Sequence, residues 1–326
     1  MTQPSGTAAG DTGRRSAGET MSAAVRPTTA SLVLPAALLA GLLALVAVQL
    51  DWSSLVPAGS GMAGPLTTVI EARAYAYRAP GDFYRGTVQI DGPLLTVASP
   101  QPLEIMTHQV TAADYQLCVD DGACRAAAPQ RQVAGKVPVT GVSYDDATSF
   151  AQWLSVRTGA TWRLPTVAEW VFAAAERAVD PALTSGSESS DPTERWIALY
   201  EREAELGAGA LANPEPLGSF GVNSVGVADI GGSVWEWTAT CASRTRLAEG
   251  GDVLSTLPSC GVRYVEGKHR TQMTAFIRDA RAGGCSTGTP PDNLGFRLVR
   301  ETNWLERALA LLIPGRDDPA HLKGQE

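Results

Sequence analysis

Five cysteines and three histidines are the side chains in this sequence best suited to metal, redox or nucleophilic chemistry. The cysteines are Cys118, Cys124, Cys241, Cys260 and Cys285, and the histidines are His108, His269 and His321. The histidines are too widely spaced to form a local metal motif, and no His-Glu-x-x-His, G-x-S-x-G or P-loop pattern occurs. Cys118 and Cys124 bracket the short loop CVDDGAC, where Gly122 permits a tight return. The net charge of -8, with no dense Lys/Arg run, excludes nucleic acid as a partner, because neutralising phosphate requires a basic stripe.

What the cysteines do depends on the compartment they occupy. Residues 30–50 read ASLVLPAALLAGLLALVAVQL, without a charge, and about 20 apolar residues span a bilayer as a helix. Arg14, Arg15 and Arg26 precede this run and Asp51 follows it. That asymmetry predicts a single-pass anchor with a cytoplasmic N-terminus and an exported body. A cleaved signal peptide ending near Val56-Pro57-Ala58 is the alternative. In an oxidising compartment the cysteines are expected as disulfide partners rather than metal ligands. Cys118 pairs with Cys124 on this reading, a ring worth roughly 2 kcal/mol in loop entropy. Cys241, Cys260 and Cys285 leave one thiol over, and any pairing among them stays open.

The elements that must position these residues can be read from caps and periodicity. Thr111 caps a short helix to Asp121, with Asp114 three residues on. Ser143 and Asp146 open a second helix whose stripe is Ala147, Phe150, Ala151 and Leu154, ending at Gly159. Thr166 and Glu169 open a third, with Val167, Trp170, Val171 and Ala174 facing inward. GTVQI and LEIMTHQV, between Tyr84 and Val110, read as short strands, as does GFRLVR near the end. RWIALYEREAEL and residues 304–313 read as helices. Beyond Leu217 the expectation is loops and short strands. A few helices amid many short strands predict an α+β, loop-rich fold. The expected divisions are a disordered cytoplasmic segment at 1–29, the anchor at 30–50 and a stalk at 51–83. A domain at 84–301 and a helix and tail at 302–326 complete the chain.

Four ordered motifs carry a resemblance. They are PVTGVSYDDATSFAQW (Pro138–Trp153), WRLPTVAEW (Trp162–Trp170), GVNSVGVADIGGSVWEWT (Gly221–Thr238) and NLGFR (Asn293–Arg297). Together they resemble the formylglycine-generating enzyme, or sulfatase-modifying-factor, family, whose fold is a C-type-lectin-like variant. Within it, RDARAGGCSTGTPPDNLGFRLVRE, GVRYVEGKHR and CVDDGAC are similar to the NirV-type branch associated with copper nitrite reductase. The resemblance implies an accessory role near denitrification, with nitrite reductase or another denitrification protein as partner.

It also carries site residues onto this chain. By motif, a calcium site falls on Asp229 with the backbone of Ile230, Gly232 and Val234, a sensible donor set because calcium accepts about six to eight oxygens, carbonyls included. Aerobic family members oxidise a substrate cysteine with copper held by a cysteine pair shortly before NLGFR. Aligned back from Asn293, those two positions fall on His269 and Thr274, and no cysteine lies between Arg263 and Ala282. Copper is therefore not expected, since soft Cu(I) favours thiolates. His269 and Cys285 remain the weak candidates for any catalytic role. The Trp residues of the motifs read as core, and Arg163 and Arg297 as partners of Glu169 or Glu236. The leading expectation is a membrane-anchored accessory or maturation factor. An oxidoreductase with an altered metal site and a lectin-like ligand-binding module are the alternatives.

Overall fold

The computed structural model describes residues 62–99, 101–129, 135–180, 213–280 and 293–301, with 191, 193–194, 197–198 and 200–201. The anchor expected at 30–50, most of the helix expected at 195–206, the helix expected at 304–313, His321 and Cys285 lie outside these residues. Among the described residues no helix is long and apolar enough to cross a membrane.

The three capped helices form where the sequence places them. α1 (Ala112–Asp120) starts at Thr111, whose hydroxyl accepts from the Asp114 N–H at 3.0 Å. α2 (Tyr144–Thr158) opens on a reciprocal box between Ser143 and Asp146 and stops at Gly159, whose φ of 71° is left-handed. α3 (Val167–Ala174) opens on the matching Thr166–Glu169 box and buries Val167, Trp170, Val171 and Ala174. Each box satisfies N–H groups that the first helical turn leaves without partners.

Strands make up three sheets. β1 (Thr67–Ile70), β6 (Leu103–Met106), β12 (Val299–Glu301) and β7 (Thr161–Arg163) form one antiparallel sheet in the order β1-β6-β12-β7. β2 (Ala74–Arg78) and β5 (Leu94–Ala98) form a separate hairpin. The largest sheet holds β3 (Asp82–Arg85), β4 (Val88–Ile90), β8 (Trp235–Leu247), β9 (Val253–Glu266) and β10 (Thr271–Thr274) in the order β10-β9-β8-β3-β4. β11 (Leu294–Gly295) pairs in parallel with the start of β8. The mixture of helix and sheet agrees with the expected fold class.

Two expectations need correction. The domain does not begin at residue 84: β1 lies in register with β6, Thr67 opposite Met106 and Ile70 opposite Leu103, inside the stretch expected to be a stalk. The polar and small residues around TTVI and AYAYR conceal these strands, because sheet-edge strands bury only part of each side chain. The region after Leu217 is also more regular than expected. β8 and β9 are 13 and 14 residues long and pair antiparallel. The outer half of β9 lacks an apolar alternation because nine successive residues from Val253 are exposed.

Two apolar clusters fill the interior. One gathers Tyr115, Phe150, Trp153, Trp235, Trp237 and Phe296 between the first two helices and the start of β8. The other packs α3 through Val167 and Trp170 onto Ile105, Ile230 and Tyr264. Aromatics supply large buried areas here, as the sequence reading of the tryptophans anticipates.

Candidate functional site

The inner end of β8 brings three of the four motifs together around one ion pair. Glu236 and Arg297 are both fully buried. Arg297 Nε donates to Glu236 Oε2 at 2.6 Å and Nη2 donates to Oε1 at 2.8 Å. The remaining guanidinium hydrogens go to the carbonyls of Met106 (3.3 Å), Thr107 (3.0 Å) and Ala228 (3.1 Å). Glu236 accepts two further bonds, from Trp170 Nε1 at 2.9 Å and Gln109 Nε2 at 2.8 Å. A guanidinium has five N–H donors and an ionised carboxylate about four acceptor sites, so both groups are fully matched. Arg163 pairs with Glu169, as anticipated, and also reaches Glu301 at 2.6 Å.

The loop before β8 is tied to the same hub. Asp229 takes a left-handed backbone (φ 56°). Its Oδ2 accepts the Gly218 N–H at 2.6 Å and its Oδ1 the Phe220 N–H at 2.9 Å. Its carbonyl accepts from Gln109 Nε2 at 3.1 Å and from the Gly232 N–H at 3.1 Å. Ile230 and Val234 are core side chains. The Gly218 and Phe220 N–H groups take one acceptor site on each Asp229 oxygen, so a calcium ion at the expected site would share that carboxylate with them. Among the described residues no group of three or more His, Cys, Asp or Glu side chains is placed to hold a metal.

His269 lies just before β10. Its ring meets the Trp235 indole edge-on, with centroids 5.3 Å apart, and Trp235 Nε1 donates to the His269 carbonyl at 3.0 Å. Trp235 in turn covers Gly267, where a Cβ would fall 2.7 Å from the indole ring, so only glycine allows the contact. The His269 side chain is buried, and among the described residues neither ring nitrogen has a hydrogen-bond partner. Burial, then the charge of Lys268, lowers its pKa from 6.5 to about 4. Thr274 sits on β10 opposite Val262. Neither residue supplies a thiolate, and His108 is not gathered with His269 into a metal cluster.

The disulfides are now assigned. Cys118 joins Cys124, as expected, and Cys241 joins Cys260 across the bulged part of β8–β9, resolving the pairing that sequence left open. A second charge cluster, centred on the buried Asp146, was not legible in the sequence. Asp146 of the α2 box accepts Arg278 at 2.7 and 2.8 Å and Arg125 at 2.9 Å. Burial alone would raise the Asp146 pKa, but the bonds from Arg278 and Ser143 outweigh it and hold the pKa below the usual range. Gln109 was missed as well. Nothing in LEIMTHQV singles it out, since Glu104, Thr107 and His108 are polar there too.

Residues 68–302 match the family described as sulfatase-modifying factor enzyme 1-like domain, and the chain belongs to that family. It is 31% identical over 177 residues to the formylglycine-generating enzyme of Streptomyces coelicolor, covering 51% of this chain and 53% of that protein. It is 29% identical over 168 residues to the inactive C-alpha-formylglycine-generating enzyme 2 of Mus musculus, covering 50% and 48%. It is 36% identical over 105 residues to the hercynine oxygenase of Mycobacterium tuberculosis, covering 32% and 22%. The chain thus spans about half the length of the formylglycine-generating relatives it matches.

Two predictions follow from this geometry. Asp229→Ala removes two charge-assisted bonds, lowering stability by about 3 kcal/mol. The loss is expected to be the same in calcium and in chelator, read from urea denaturation; a calcium-dependent difference would restore the cation site. For His269 the folded pKa is depressed, so the unfolded chain binds the extra proton. Stability is therefore fully present above about 6.5 and falls as pH drops toward about 4, by about 3 kcal/mol over that window. His269→Gln should flatten the stability profile between those values, and parallel profiles for the two proteins would contradict the burial.

Proposed function

We propose that this member of the sulfatase-modifying-factor family is an exported accessory or maturation factor, anchored in a bacterial inner membrane through residues 30–50. Its partner on this reading is a denitrification protein, copper nitrite reductase, and it does not oxidise cysteine to formylglycine. The observation that carries the negative half is chemical. The two positions where the family resemblance calls for copper thiolates hold His269 and Thr274, and the imidazole is buried against Trp235. An imidazole and a hydroxyl are poor ligands for soft Cu(I). The likeness to a mouse protein named as an inactive formylglycine-generating enzyme supports the same reading.

Export is supported by residues 30–50 and by two disulfides, which persist in oxidising compartments. The NirV-type similarity of GVRYVEGKHR and the segment from Arg278 to Glu301 points to the partner. An oxidoreductase with an altered site is the second reading, favoured by the two unpartnered nitrogens of His269.

One preparation tests both. Affinity-tagged protein from membranes of denitrifying cells is expected to bring down copper nitrite reductase. The same copper-loaded protein, incubated in air with a Cys-x-Pro-x-Arg peptide, is expected to leave the cysteine unchanged by mass spectrometry. Formylglycine formation that His269→Ala abolishes, with no nitrite reductase recovered, would overturn the proposal in favour of the enzyme.

A further inference from the structure

A cleft of about 460 Å³ opens between the β2–β5 hairpin and the end of α3. That volume lies in the range of small-molecule sites. Three arginines line it, and two of them are matched. Arg78 forms a forked pair with Asp180 at 2.6 and 2.8 Å. Arg270 bonds to Glu266 at 2.5 Å and to the Arg78 carbonyl at 2.9 Å.

Arg73 differs. It donates to the Phe172 carbonyl at 2.5 Å, and its guanidinium lies 4.5 Å from the centre of the Phe172 ring. Its Nε is buried without an acceptor, and among the described residues no carboxylate pairs with it. A guanidinium stays charged under all ordinary conditions, so the cleft carries one partly buried positive charge with no counter-ion among the described residues.

The wall beside it is aromatic. Tyr75 stacks on Tyr77 with centroids 5.7 Å apart and planes 21° from parallel, and Tyr75 also rests 4.9 Å from Phe172. Burial lifts the Tyr75 hydroxyl pKa to about 12, leaving it a neutral donor. On the rim, Ala175 is held at φ 49° and ψ -120°. An L residue rarely adopts that conformation, and such strain gathers at ligand sites.

We propose that this cleft binds a small monocarboxylate with a planar apolar body, its carboxylate on Arg73 and its body against Tyr75 and Tyr77. One unmatched guanidinium balances one negative charge, while Glu176 and Asp180 in the lining disfavour a dianion such as phosphate. The site is separate from the Glu236–Arg297 hub and stands whether or not the proposed partner is correct.

Benzoate is the probe and benzamide its uncharged counterpart, followed by NMR on the ring signals of Tyr75 and Tyr77. Benzoate is expected to shift both rings and to bind more tightly than benzamide. Arg73→Gln is expected to weaken benzoate about tenfold, the loss of one charge-assisted pair, without changing benzamide. Equal binding of the two probes, ring signals that do not move, or benzoate affinity unchanged in folded Arg73→Gln would overturn the assignment. Should Arg73→Gln not fold, Arg73→Lys decides: weaker benzoate with unchanged benzamide supports the site, and unchanged benzoate overturns it.

Discussion

The contact between Arg297 and Glu236 constrains everything around it. Two ions removed from water cost several kcal/mol each, and their attraction repays this only when every remaining donor and acceptor is matched. Here the match recruits the whole domain. Met106 and Thr107 come from the end of β6, Trp170 from α3, Ala228 from the loop before β8, and Arg297 from the chain's last described segment. Gln109 then bridges Glu236 to the Asp229 carbonyl. Segments far apart in sequence are therefore obliged to converge, because any of them left out would strand a buried charge or polar group.

This architecture changes how the motifs are understood. Three of them look like site sequences, yet their polar residues are used to hold one another. Asp229 holds the loop from Gly218 to Phe220, Glu236 and Arg297 hold the hub, and Glu169 closes a helix cap while pairing with Arg163. His269 is not used in this way: its ring lies against Trp235, and among the described residues neither of its nitrogens has a partner. The two disulfides brace other places, one tying the last turn of α1 to the loop after it within the apolar interior and one joining β8 to β9.

Much of this was legible in the sequence where the signal is local. Both reciprocal caps, the stop at Gly159 and the Cys118–Cys124 ring depend on residues a few positions apart, and each forms as read. That Arg297 needs an acidic partner, Glu169 or Glu236, was legible because a charge inside an apolar strand demands one, and the structure selects Glu236. What was hidden depends on distant contacts. TTVI and AYAYR are strands only because β6 and β5 pair with them, and the β8–β9 hairpin extends past the core, where burial imposes no alternation. Arg278 reaching Asp146 has no local signature at all. Nothing local to Asp229 discloses that the Gly218 and Phe220 amides are folded back onto its carboxylate.

The claim that the signature residues serve the scaffold rather than a reaction rests on the Arg297–Glu236 hub. A double-mutant cycle by urea denaturation tests it most directly, using Arg297→Met, Glu236→Leu and the combined protein. Each single change strands the opposite charge and is expected to cost about 3–5 kcal/mol, while the combined protein should lose much less than the sum. Single variants as stable as the parent, or losses that simply add, would contradict the account.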